Sequence, residues 1–185
     1  MGLMAAVELK MPLDDIQGPV ESYFARNAGG NLADTYIAAA ALHAAEIQPT
    51  MAKDWIAAFE ATRNADGSYG KSISETAGAV VTILRLEGEL ADRDQVVESL
   101  KKAQRPDGGF GMATDRSDLA TTYRVMRAFQ MLKEGPDLTS CRRFVESCRN
   151  NDSGYGPSTG KPSTVSTTYF ACIILYWLGE LESSS

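Results

Sequence analysis

The chain has 185 residues, a mass of 20.0 kDa, 44% hydrophobic and 23% charged residues, a net charge of −6 and a pI near 4.9. That size holds one sizeable core, and the acidic balance excludes an electrostatic nucleic-acid surface. No stretch reaches the ~20 apolar residues of a membrane span.

Residues 1–15 are expected to form a leader arm, with neither the basic start of a signal peptide nor Ser or Thr at position 6, where Ala6 argues against myristoylation. A repeat domain follows over residues 16–180, and residues 181–185 are expected to be a disordered polar tail. The repeat is marked by threonines at Thr35, Thr76, Thr122 and Thr168, in steps of 41, 46 and 46 residues, a period that signals stacked helical pairs. Seven positions after each stands an apolar residue, Leu42, Ile83, Phe129 or Leu175, two turns on and on the same face.

Four positions before each threonine stand Asn31, Ser72, Asp118 and Thr164, all side chains that cap helix N-termini. They predict second helices of each pair over 32–46, 73–87, 119–133 and 165–179, largely buried because runs such as AAAALHAA and YFACIILYWL are apolar all round. The first helices, GPVESYFAR, MAKDWIAAFEATR, DRDQVVESLKKAQR and LTSCRRFVESCR, carry apolar stripes with charged opposite faces. Pro19 suits the start of the first one. The joints DGSYG (66–70), DGGFG (107–111) and SGYG (153–156) contain glycine for a left-handed helix exit, and their aromatics Tyr69, Phe110 and Tyr155 are expected to plug gaps in the packing. The first joint is reduced to AGGN (28–31). Basic pairs Lys101-Lys102 and Arg142-Arg143 read as solvated helix faces.

Cys141, Cys148 and Cys172 are an odd set without metal spacing. Cys141 and Cys148, seven apart, read as buried thiols on one helix face of a reduced, cytoplasmic protein. Asp34 and Glu75 read as capping-box partners and Asp118 as a cap, with Asp115 in a solvated loop. Asp14-Asp15 opens an Asp-Asp-x-x-Asp pattern that fails at Gly18. His43, the only histidine, reads as a mid-helix packing residue. Tyr36, Tyr123 and Tyr169 follow three of the threonines and stand as candidate lining residues of an apolar cavity mouth, with Arg124 placed to reach a phosphate. Nothing supports a zinc or Mg²⁺ cofactor, and no catalytic residue is identified.

Gln104, Gly108 and Phe110 resemble the Gln, Gly-x-Trp signature of squalene–hopene-type cyclases. LADTY (32–36) and LATTY (119–123) resemble the repeat of protein prenyltransferase β subunits. The resemblance covers residues 16–180. It implies an all-α fold, an α/α-toroid array of about four helical hairpins, and a cavity for an isoprenoid or its diphosphate. With fewer hairpins than the family's closed toroids, it also implies self-association or a partner chain that completes the ring. In prenyltransferases the zinc-binding Asp and His lie two residues before the repeat threonine, and the zinc Cys lies on it. The proton-donating Asp of the cyclases shares the former register. Here that register holds Ala33, Ser74, Ala120 and Ser166, and no threonine is replaced by Cys. Two readings follow: a prenyltransferase-like protein that binds an isoprenoid ligand, and a non-catalytic interaction scaffold built on the same repeat.

Overall fold

The computed structural model describes residues 17–27, 32–112 and 116–183. Among these the chain is all-helical: α1 Gln17–Asn27, α2 Leu32–Ala44, α3 Ala52–Glu60, α4 Ile73–Arg85, α5 Arg93–Lys102, α6 Leu119–Leu132, α7 Leu138–Ser147 and α8 Val165–Ser183. The leader arm, Asn31, the AGGN joint, Asp14-Asp15 and Asp115 lie outside the described residues. No helix among the described residues is long and apolar enough to cross a membrane.

The predicted caps form the second helices. Ser72 Oγ accepts the Glu75 N–H at 3.2 Å, while Glu75 accepts the Lys71 N–H at 2.8 Å. Asp118 accepts the Thr121 N–H at 2.7 Å, and Thr164 Oγ1 accepts that of Thr167 at 3.1 Å. Each satisfies a donor that the first helical turn leaves without a partner, which is why α4, α6 and α8 begin within one residue of expectation. The acids Glu75 and Asp118 are therefore structural.

The helix ends depart from expectation. Glycine does not make the exits of α2, α4 and α6; Glu46, Glu87 and Lys133 adopt φ of 57°, 57° and 53°. At each exit the next N–H (Ile47, Gly88, Glu134) closes back onto the carbonyl of Leu42, Ile83 or Phe129, at 2.9 to 3.0 Å. These acceptors are the apolar residues seven positions after the threonine, so one residue both fills the core and ends the helix. In α8 the corresponding residue is Gly179, yet the helix continues through it to Ser183, so the tail expected from residue 181 is helical that far.

The chain divides into two compact units. In residues 17–63 with 79–91, Ala38, Ala39, Leu42, Ile47, Trp55 and Leu86 form a buried cluster. Gln48 Nε2 donates to the Leu86 carbonyl at 2.7 Å, ordering the connection after α2. His43 corrects the sequence reading: it lies exposed in the last turn of α2, one residue past the buried Leu42. A histidine there faces the negative end of the helix dipole rather than the core.

In residues 64–78 with 92–183, α6 packs on α8, and α7 lies against α8. The amphipathic pattern is realised: α5 buries Val96, Val97 and Leu100, and α7 buries Cys141, Phe144 and Val145. The joint aromatics Tyr69, Phe110 and Tyr155 are all buried.

Each joint is built around an aspartate. Asp66, Asp107 and Asp152 accept the N–H two residues on, from Ser68, Gly109 and Gly154, at 2.9 to 3.0 Å. The next residue is left-handed: Gly67 at φ 82°, Gly108 at 91° and, in the third joint, Ser153 at 65° rather than the expected Gly154. The first two joints abut the following helix, and a Cβ on Gly108 would stand 2.0 Å from the Ser140 carbonyl oxygen. Gln104 completes that junction, donating to the Gly108 and Asp137 carbonyls at 2.9 Å and accepting the Asp137 N–H at 2.8 Å.

Candidate functional site

The repeat threonines are structural clips. The Phe110 N–H donates to Thr122 Oγ1 at 3.0 Å, and the Thr122 hydroxyl donates to the Phe110 carbonyl at 3.3 Å. Thr76 treats Tyr69 identically, at 3.0 and 3.1 Å. In the last repeat the work is divided: Thr168 accepts the Tyr155 N–H at 3.0 Å, while Thr167 donates to the Tyr155 carbonyl. A buried turn must pair its backbone groups, and a hydroxyl that both accepts and donates does this from one position. The recurrence of a hydroxyl on an otherwise apolar helix face was the sequence signal for this role.

The residue after the threonine carries the aromatic site. Tyr123 on α6 stacks on two rings of α8, Phe170 at 4.7 Å and Trp177 at 5.4 Å between centroids, and lies 6.1 Å from Tyr169. Arg127, one turn along α6, places its guanidinium 4.9 Å from the Tyr123 ring and 5.3 Å from Trp177, and donates a hydrogen bond to the Tyr123 hydroxyl. A cation over ring faces meets their negative quadrupole, which holds the guanidinium in place. Burial pushes the Tyr123 phenol up, against the opposing pull of Arg127, so it stays protonated at neutral pH. Arg127 Nε is buried without a hydrogen-bond partner in the described structure, and so keeps a donor for an acceptor from outside.

Of the four predicted lining residues, Tyr123 and Tyr169 come together. Tyr36 belongs to the other unit, half-buried, with the Arg85 guanidinium 5.6 Å from its ring. Arg124 is exposed and takes no part in the aromatic cluster; the cation there is Arg127. Phe170, Trp177 and Arg127 escaped the sequence reading. Arg127 had one available signal, its spacing of four from Tyr123, which puts both on one helix face.

The register that the resemblance assigns to reactive groups holds Ala33, Ser74, Ala120 and Ser166, so its side chains do not fit zinc. Ser74 Oγ is buried with no hydrogen-bond partner in the described structure. Among the described residues no three His, Cys, Asp or Glu side chains cluster as a metal site would need. A polar groove of about 470 Å³ lies elsewhere, between the first joint and α5, bordered by Asn64, Asp66, Lys71, Ser72, Ser99 and Lys102. None of the predicted tyrosines lines it.

Cys141 and Cys148 are buried and Cys172 is exposed. Burial pushes the Cys141 thiol up to about 12 and the Cys148 thiol to about 11, so both are inert at neutral pH.

The similarities to known proteins agree with this architecture. A family model described as the prenyltransferase alpha-alpha toroid domain matches residues 22–185. Among solved structures, Candida albicans protein geranylgeranyltransferase-I complexed with GGPP superposes with a TM-score of 0.68 at 15% identity, over 81% of this chain. The match covers 50% of that protein, so this chain spans about half its length, and at that identity the likeness speaks for the fold. No curated protein sequence matches. The chain is all-α and belongs to the prenyltransferase α/α-toroid domain family.

Proposed function

We propose that this chain binds an isoprenoid diphosphate, with the hydrocarbon against Tyr123, Tyr169, Phe170 and Trp177 and the phosphates toward Arg127. The observation that carries the reading is the stack of Tyr123 on Phe170 and Trp177 with a guanidinium at its edge. Aromatic faces offer a large apolar area with few rotamers to freeze, and an arginine donor matches a phosphate oxygen. The family membership and the GGPP complex of the similar structure support the ligand class.

Binding here is separate from group transfer. Zinc-dependent transfer would need Asp, His and Cys donors that this register lacks, so no transfer step is assigned to the chain. That same register favours the second reading, a non-catalytic interaction scaffold. The two buried, reduced thiols fit a cytoplasmic setting.

The test is a fluorescence titration of the Trp55→Phe variant, which leaves Trp177 as the reporter. Geranylgeranyl diphosphate is expected to change the Trp177 emission saturably, geranylgeraniol to do so more weakly, and pyrophosphate alone to have little effect. A flat response to all three would refute ligand binding and leave the scaffold reading.

A further inference from the structure

One face of α8 is apolar, exposed and periodic. Val165, Tyr169 and Tyr176 are 90%, 52% and 61% exposed, and Cys172 between them is exposed too. The spacing of four, three and four puts all of them on one stripe of the helix. Isolated exposed apolar residues are ordinary, but a stripe of this kind marks an interaction surface.

The internal repeat shows what covers such a stripe. Forty-six residues earlier, on α6, the same positions are Leu119, Tyr123, Met126 and Gln130. Leu119 and Met126 are fully buried and Tyr123 and Gln130 half-buried. The rings that meet that stripe come from the second helix of the next repeat, where Phe170 and Trp177 stack on Tyr123. On α4 the stripe is again covered, with Ala77 and Val80 buried. Only on α8 does it lie open.

We infer that α8 docks the second helix of a repeat from another molecule of this chain, and that α2 is that helix. Two observations select α2. It is the second helix at the opposite end of the series, built from the small-residue run AAAAL that permits close approach. It also leaves Ile37 62% exposed, and Ile37 stands two residues after its repeat threonine, the register of Phe170 on α8. Ile37 of the second molecule packs on Tyr169 as Phe170 packs on Tyr123. The contact joins unlike surfaces, so it closes into a ring of copies or extends into a chain of them. This surface rests on the repeat, independently of isoprenoid binding, so a ligand titration and an association measurement fail separately.

The test uses the full 185-residue chain carrying Cys172→Ser, into which Ile37→Cys and Tyr169→Cys are introduced separately, one of the two bearing an affinity tag. After mixing and mild oxidation with copper phenanthroline, a tagged–untagged disulfide pair is expected, well above the yield of either variant alone. Light scattering of the unaltered chain, which does not depend on the variants folding, is expected to give masses of two or more chains. A single-chain mass across about a hundredfold concentration range, or cross-linking only of Tyr169→Cys to itself, would overturn the inference. The first outcome would mean the stripe is covered within one molecule, the second that two α8 faces meet each other.

Discussion

Thr122 holds the backbone of Phe110 from both sides, accepting its N–H at 3.0 Å and donating to its carbonyl at 3.3 Å while both residues are fully buried. Thr122→Val keeps the side-chain shape and removes both bonds, leaving a buried donor and a buried acceptor unpaired. The expected loss is about 2–3 kcal/mol, read from the midpoint of urea unfolding. Thr168→Val should cost less, about 1 kcal/mol, because Thr167 still serves the Tyr155 carbonyl. Equal losses at the two sites would contradict the clip.

The joints make opposite demands on similar positions. Gly108→Ala meets a left-handed φ of 91° and a contact of 2.0 Å with the Ser140 carbonyl oxygen, so the joint must shift. A destabilisation of at least about 2 kcal/mol is expected. At the matching position of the third joint, Ser153 holds φ 65° with a Cβ. Ser153→Gly should stabilise by about 0.5–1 kcal/mol, since relief of left-handed strain outweighs the added chain entropy. Thermal unfolding of both variants decides the point.

The buried thiols set an alkaline limit. From an ordinary value of 9.0, burial raises Cys141 to about 12 and Cys148 to about 11. Above pH 9 the unfolded chain loses these protons while the folded chain keeps them, so the unfolded state binds fewer protons and stability falls as pH rises. Their contribution is fully present below pH 9 and is lost as pH climbs toward 11 and 12. Cys141→Ala should flatten the decline in urea midpoint above pH 9 relative to the unaltered chain. At pH 8, Ellman's reagent is expected to titrate Cys172 alone until the protein unfolds.

Much of the fold was legible because its instructions are local. A cap acts over three residues, so Ser72, Asp118 and Thr164 announced the starts of α4, α6 and α8 from sequence. The exits were less legible: Glu46, Glu87 and Lys133 turn left-handed where nothing in their side chains demands it, and α8 runs through Gly179. Those choices are made by what packs beyond the helix end. The candidate site was half legible for the same reason. Tyr123 and Tyr169 were found by their register, but Phe170 and Trp177 reach Tyr123 only through the packing of α6 on α8. Arg124 was favoured over Arg127 because it adjoins Tyr123 in the chain, whereas on a helix the residue four along shares its face.

The most direct test of the central claim is a calorimetric titration of geranylgeranyl diphosphate into the unaltered chain, Tyr123→Ala and Arg127→Gln. The account predicts saturable binding to the unaltered chain and a loss of about tenfold or more in affinity with Arg127→Gln, because a charge-assisted contact to phosphate is removed. Tyr123→Ala should weaken the diphosphate and geranylgeraniol alike, while Arg127→Gln should spare geranylgeraniol. No saturable binding, or binding unchanged by both substitutions, would contradict the assignment of the Tyr123–Arg127 cluster as an isoprenoid diphosphate site.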